Sequence, residues 1–263
     1  VKISDPYSRV LQIQGPCSID IMKVASKGEI SEEMKYFRSG FFDIGGQTLY
    51  VSRTGFTNEL GFEIYCDKDS TDHIRLWDHL MDSGVPFGME ISSTRAMTIR
   101  RIEGGILGNI TDIDTSMTPF EAGLGQFVDL GKGDFIGCEA LLTKDNKPLL
   151  FGLTCETGTP TSGSIIISNG NNVGYITAWV PSPTLGLGIG YARFLEPKNW
   201  PGSPVSICLP DKTVHPAKVV DLPFFDPEKK IVRGVDNINP NKNVHLISVK
   251  TLYFFAKGLI ITR

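Results

Sequence analysis

The feature that most constrains the fold is a change of rhythm at Leu149. Six short apolar runs follow, at 149–155, 164–168, 173–180, 187–194, 204–209 and 214–221, with Gly, Pro, Asn and Asp between them. No run is long enough to bury itself alone, and short strands at such even spacing close on one another as a small antiparallel barrel or sandwich. Asn169-Gly170-Asn171-Asn172 predicts a hairpin turn, because Asn and Gly tolerate the positive φ that tight hairpins need. Upstream of this region, helical and strand patterns alternate without that spacing. The expected organisation is an α+β chain with a first domain over 1–146, a C-terminal β-barrel over 147–228 and a tail over 229–263.

The first domain reads as follows. Residues 8–14 alternate apolar and polar and predict a strand, which Gly15-Pro16 ends. Pro16 suits the first turn of a helix running to about Ser26. Phe41-Phe42-Asp43-Ile44 and Thr48-Leu49-Tyr50-Val51-Ser52 flank Gly45-Gly46, a hairpin signature. A loop, Arg53-Thr-Gly-Phe-Thr-Asn-Glu-Leu-Gly61, leads into a short strand over 62–66. Ser70 or Asp69 caps a predicted helix over about 71–83, with Ile74, Trp77, Leu80 and Met81 as its apolar stripe. His73 and His79 fall outside that stripe and read as solvated. Further helices are expected over 93–103 and 138–142. Thr118-Pro119-Phe120-Glu121 has the form of a capping box and predicts a short helix to Gly123 or Gln126.

Several function classes drop out on composition. A formal net charge of −3 gives no basic field for nucleic acid. No apolar run reaches the roughly 18 residues of a spanning helix, so no membrane partner is expected. The five cysteines are scattered and odd in number, with no CxxC, which predicts reduced thiols in a cytoplasmic protein. The four histidines have no metal-ligand spacing, and no metal site is expected. GxSxG, P-loop, strand-borne GxGxxG and HExxH patterns are all absent. The chain starts at Val1 and enters a strand almost at once, which reads as a missing front. From Asp236 the text turns Asn- and Lys-rich and then apolar, interrupted by Lys250 and Lys257, which reads as a non-native or disordered tail.

One carboxylate invites a chemical role. Strand alternation puts Glu63 and Tyr65 on one face and Phe62 and Ile64 on the other. A carboxylate among apolar neighbours must find donors or take up a proton. It either pairs with Arg53 across the loop or is kept for a ligand with adjacent N–H donors, such as an amino-pyrimidine ring. Arg101 and Glu103 read as a local helix-end pair. Capping accounts for Glu121, and core or interdomain packing for Trp179 and Trp200.

Together these blocks resemble a known family. Arg53-Thr-Gly-Phe-Thr-Asn-Glu-Leu-Gly-Phe-Glu-Ile-Tyr65 is similar to the "RTGYTGEDGFEIY" signature of the glycine-cleavage T-protein (aminomethyltransferase) superfamily. Leu11-Gln-Ile-Gln-Gly-Pro16 resembles "LAIQGP", Arg101-Ile-Glu-Gly-Gly105 "RLEAG", Thr118-Pro-Phe-Glu-Ala-Gly-Leu-Gly125 "TPLEAGLG", and Gly133-Asp-Phe-Ile-Gly-Cys-Glu-Ala-Leu141 "GDFIGREAL". Order and spacing hold from about residue 8 to 227.

The resemblance implies part of a three-lobed cloverleaf and a tetrahydrofolate cofactor. It implies Glu63 as the carboxylate that grips the pterin, with Tyr65, Phe56 and Arg95 as further folate- or substrate-binding residues. It implies one-carbon transfer from a small-molecule donor or a lipoyl carrier protein to N5 of tetrahydrofolate, steered by an Asp upstream of residue 1. There are departures. "GED" is Asn58-Glu59-Leu60 here. The Arg of "ARDxLRLE" falls on Met97, so Arg95 replaces it only under a two-residue shift. "LYGHE" becomes Gly108-Asn109-Ile110-Thr111-Asp112, without its Tyr. The alternatives are a folate-dependent demethylase, such as one acting on dimethylsulfoniopropionate, and a non-catalytic folate-binding factor for iron–sulfur maturation. Against them, "SGWSKQGGFEIY" and "KGCYxGQE" are both unmatched.

Overall fold

The computed structural model describes residues 7–144, 146–235 and 252–257. The chain forms two compact units, Val1–Arg100 with Glu228–Arg263, and Arg101–Pro227.

The first unit is a sheet with helices on one face. Its elements in order are β1 (Arg9–Gln14), α1 (Ser18–Ala25), β2 (Ser39–Ile44), β3 (Gln47–Ser52), β4 (Gly61–Cys66), α2 (His73–Gly84) and β5 (Met89–Ile91). The helix α3 (Thr94–Glu103) then leads out of it. Alternation explains the sheet: Leu11, Ile13, Leu49, Val51, Phe62 and Ile64 all turn to one face and are buried. They share a core with Ile21, Met22 and Ala25 of α1 and Leu76 and Leu80 of α2. Each of these side chains larger than Ala contributes about 1.5–3 kcal/mol by leaving water.

Turn chemistry falls where expected. Gly45 and Gly46 take φ of 63° and 79° between β2 and β3. The α2 boundary differs from expectation: Asp72, not Ser70 or Asp69, caps it, accepting from the Arg75 N–H at 3.0 Å. Ile74 lies exposed, and Leu76 takes the buried place instead. His79 is not merely solvated, since its Nε2 lies 2.8 Å from the Ala25 carbonyl.

The second unit holds α4 (Cys138–Leu142) and the strands β6 (Leu150–Cys155), β7 (Ile165–Ser168), β8 (Asn171–Ser182), β9 (Leu187–Phe194), β10 (Pro204–Cys208) and β11 (Val214–Val220). All six strands pair antiparallel and close as a barrel in the order β10-β11-β6-β9-β8-β7. This is the expected α+β fold with a C-terminal antiparallel β-barrel. Asn169 and Gly170 form the β7–β8 turn, both with positive φ. The interior holds Leu153, Ile166, Ile176, Phe194, Trp200, Ile207 and Val219, with Phe194 and Trp200 stacked at 4.2 Å.

Residues 101–127 pack with this barrel in the second unit. Side chains carry that attachment. Glu103 accepts from Ser182 Oγ at 2.5 Å and from the Thr184 N–H at 3.3 Å. Arg101 pairs with Asp112 at 2.7 Å. Asp112 also takes the Thr177 hydroxyl at 2.9 Å, and Tyr191 donates to the Arg101–Ile106 segment. The Thr118–Glu121 capping box forms reciprocally, at 2.7 and 3.2 Å, but caps a turn rather than a helix, followed by a 3-10 turn at Gly125–Phe127. Leu149 and Leu150 N–H groups donate to the Glu121 carbonyl, which draws that turn onto the first barrel strand.

The start of the expected tail returns to the first unit. The short helix α5 (Lys230–Arg233) buries Ile231 and Val232. Lys229 Nζ donates to Asn58 Oδ1 at 2.7 Å, and Arg53 donates to the Arg233 carbonyl at 3.2 Å. A final strand, β12 (Leu252–Lys257), lies between β1 and β5, so the sheet runs β2-β3-β4-β1-β12-β5. The rest of the tail lies outside the described residues.

Candidate functional site

The face of the first sheet turned away from its core is polar. Registers place Gln12, Glu63 and Ser52 directly across from one another on β1, β4 and β3. Glu63 is half-buried there and accepts three hydrogen bonds. Gln12 Nε2 reaches Oε1 at 3.1 Å, Thr54 Oγ1 reaches Oε2 at 2.5 Å and Tyr65 OH reaches Oε2 at 3.4 Å. The donors are an amide and two hydroxyls. Among the described residues no cation pairs with Glu63. The expected alternative, a Glu63–Arg53 pair, does not form. Arg53 is buried and donates to the Met34 carbonyl at 2.6 Å and to Arg233 instead, and burial lowers the pKa of its guanidinium.

The hydroxyls form a relay. Thr54 gives its only proton to Glu63, so the 2.5 Å contact between Ser52 and Thr54 has Ser52 as donor. Burial raises the pKa of both Tyr65 and Tyr36, and the charge of Glu63 adds to the shift in each. An aromatic row leads away from the site: Tyr65 and Tyr50 rings lie 5.7 Å apart, Tyr50 and Phe41 rings 5.1 Å.

A second glutamine holds the loop that shapes this site. Gln14 is fully buried; its Nε2 donates to the Thr54 and Phe62 carbonyls, both at 3.2 Å, and its Oε1 accepts from Thr57 Oγ1 at 2.7 Å. A Cβ on Gly55 or Gly61 would lie well inside contact distance of that amide, which explains both glycines. The loop is further tied by an ion pair between Arg100 and Glu59.

Of the residues expected at the site, Glu63 and Tyr65 come together. Phe56 is half-buried in the 53–61 loop, and Arg95 is exposed in the first turn of α3; neither is a hydrogen-bond partner of Glu63. The sequence reading missed Gln12, Ser52, Thr54 and Tyr36. The signal for Gln12 and Gln14 was available: two glutamines alternate with Leu11 and Ile13 in an otherwise apolar strand. Among the described residues no His, Cys, Asp and Glu cluster suits a metal, and no helix is long and apolar enough to cross a membrane.

The Glu63 carboxylate has about four lone-pair directions, three of them in use. A ligand with two parallel N–H donors needs one on each oxygen. Oε1 has one open, and on Oε2 the 3.4 Å contact from Tyr65 is the weak one to displace. Hydrogen-bonding capacity at the site therefore fits a planar ring edge with adjacent donors.

Residues 1–132 match the model of the GCVT N-terminal domain, and residues 149–226 that of the glycine cleavage T-protein C-terminal barrel domain. The chain belongs to the glycine cleavage T-protein family. It is 34% identical over 231 residues to an aminomethyltransferase of Halothermothrix orenii, covering 86% of this chain and 63% of that protein. To the aminomethyltransferase of Bacillus subtilis it is 34% identical over 221 residues, covering 82% and 60%. The chain thus spans about three fifths of the length of these relatives. Its fold is similar to the crystal structure of glycine cleavage system aminomethyltransferase T from Bartonella henselae, with a TM-score of 0.60 and 18% identity over 83% of this chain and 84% of that one.

Proposed function

We propose that this chain carries the pterin-binding carboxylate of a tetrahydrofolate-dependent aminomethyl- or methyltransferase of the T-protein type, with Glu63 as that carboxylate. The observation that carries this is its partner set: a half-buried acid on a polar sheet face, met only by amide and hydroxyl donors among the described residues. An acid kept to stabilise the fold would be expected to face a guanidinium or ammonium; one kept for a neutral ring with N–H donors has no such need. Tetrahydrofolate, when bound, supplies N5 as the acceptor of the one-carbon unit.

The work of this chain is then positional. Glu63 orients the ring by its donor edge, and Thr54 and Gln12 fix the carboxylate for that task, so that ring placement is paid in advance of chemistry. Tyr65 and the half-buried Phe56 supply apolar surface beside it. Charge steering at N5 is assigned to no residue of this chain. The one-carbon donor is a small molecule or a lipoyl carrier protein. A reducing compartment, the cytoplasm, suits five cysteines that are all free.

The test is a titration with 5-formyl-tetrahydrofolate, beside a Glu63→Gln variant. Saturable binding weakened by roughly 1.5–3 kcal/mol in the variant is the expected result, the scale of a hydrogen bond to a charged acceptor. Equal affinity for the two proteins rejects the assignment of Glu63.

A further inference from the structure

Gln12 is only 3% exposed, and its carboxamide is half satisfied. Nε2 donates to Glu63 Oε1 at 3.1 Å, while Oε1 of Gln12 is buried and receives no hydrogen bond from the described residues. The orientation of the amide follows from its neighbour, since turning it over would set one oxygen against another. A dry carbonyl oxygen without a donor is a cost that a well-packed strand does not usually carry. This one lies one strand away from the carboxylate just described, on the same polar face.

The other neighbours of Glu63 are hydroxyls whose protons are committed to the relay: Thr54 gives its proton to Glu63, and Ser52 gives its own to Thr54. On the β1 side, Gln12 alone supplies an amide beside the acid, and the "LAIQGP" text that this strand resembles has Ala at that place.

Resting on the Glu63 reading above, we propose that Gln12 is a specificity residue whose Oε1 accepts the outer N–H of an exocyclic amine on the bound ring. The chemistry is that of a 2-amino-pyrimidinone edge. It presents three N–H groups: one on the ring and two on the amine. The ring N–H and the inner amine N–H run parallel and fill the two oxygens of Glu63. The outer amine N–H diverges, and needs an acceptor beside the carboxylate rather than behind it. Gln12 Oε1 is an acceptor beside that carboxylate with nothing else to accept. Its amide, tethered by a single bond to Glu63, moves with the acid as a ligand docks.

The test compares 5-formyl-tetrahydrofolate with its N2-methyl derivative, in which a methyl group replaces the outer N–H. Titration calorimetry on the unmodified chain should find the methylated compound bound about ten-fold more weakly, the scale of one buried hydrogen bond. Gln12→Ala should bring the two compounds within two-fold, and so should Gln12→Met, which keeps the length of the side chain without the acceptor. A ratio unchanged in both variants overturns the proposal, and so does equal binding of the two compounds by the unmodified chain. Absence of any binding to the unmodified chain rejects the Glu63 reading, and this one with it; an unchanged ratio with binding intact rejects Gln12 alone.

Discussion

Gln12 and Glu63 stand directly opposite each other on β1 and β4, and the amide of the first donates to the acid of the second at 3.1 Å. A strand that buries Leu11 and Ile13 on its other face thereby fixes the orientation of Glu63. Site geometry and core packing are set by the same register, because a one-residue slip of β1 would exchange the two faces.

Thr54 is the second holder of that acid. Replacing it by Val removes the 2.5 Å bond to Glu63 and ends the relay from Ser52. The half-exposed carboxylate regains a water, so the expected loss in urea unfolding is at the low end for such a bond, about 1 kcal/mol. Affinity for 5-formyl-tetrahydrofolate should fall with it. An unaltered affinity would mean that Thr54 serves the loop alone.

Gln14 should matter far more to stability than Gln12. Gln14→Leu strands the Thr54 and Phe62 carbonyls and the Thr57 hydroxyl in a dry interior. The expected cost is about 3 kcal/mol, summed from groups of about 1–3 kcal/mol each and partly relieved by loop movement. Denaturant unfolding measures it; a loss under 1 kcal/mol would show that the loop is held by other means.

In the second unit, Asp112→Asn breaks the ion pair with Arg101 while leaving a group that can still meet Thr177. Arg101 then loses the Asp112 charge at 2.7 Å in a buried setting, and a loss of about 3 kcal/mol is expected, the low end for a broken buried pair. The melting temperature of the variant decides this, and a drop of only a degree or two would contradict it.

Cys66 gives a pH signature. Burial pushes its thiol from 9.0 up to about 11. The unfolded chain releases this proton first, so the contribution is intact below pH 9 and is lost as pH rises from 9 to 11. Stability should fall in that window, and less steeply in Cys66→Ala. At pH 8, thiol reagents should reach the half-exposed Cys17 and Cys208 well before Cys66.

The segment after Pro227 can be tested by truncation. A chain ended at Val235 keeps α5, the Lys229–Asn58 bond and the buried Ile231 and Val232; one ended at Pro227 loses all of them. The shorter chain should melt several degrees lower. Equal melting temperatures would show that α5 adds nothing to the first unit.

What the sequence disclosed, and what it did not, follows from range. The six barrel strands and the Asn169-Gly170 and Gly45-Gly46 turns were readable because alternation and turn preference are local. The face of Glu63 was readable for the same reason. Its partners were not, since Gln12 lies 51 positions away and only strand register brings it there. Arg101 and Glu103 read as a local helix-end pair, and the sequence could not show that Asp112 and Ser182 reach them across the second unit. The change of texture near 146 separates the two matched family domains, while polar attachments such as that of Glu103 to Ser182 are not announced by texture. The packing of α5 was not legible either: two apolar residues are too short a pattern to stand out from a lysine-rich stretch.

Closure of the barrel has a consequence for how the protein resists self-association. Six strands that pair all the way round offer no free ladder to a second molecule. The sheet of the first unit is open, and among the described residues β2 is one of its edges, with Phe41 largely exposed on it. A carboxylate helps to guard that edge: Glu29 accepts the Asp43 N–H at 3.1 Å, occupying a donor that an incoming strand would need. An incoming strand therefore meets an open edge at β2, and Glu29 is the gatekeeper there.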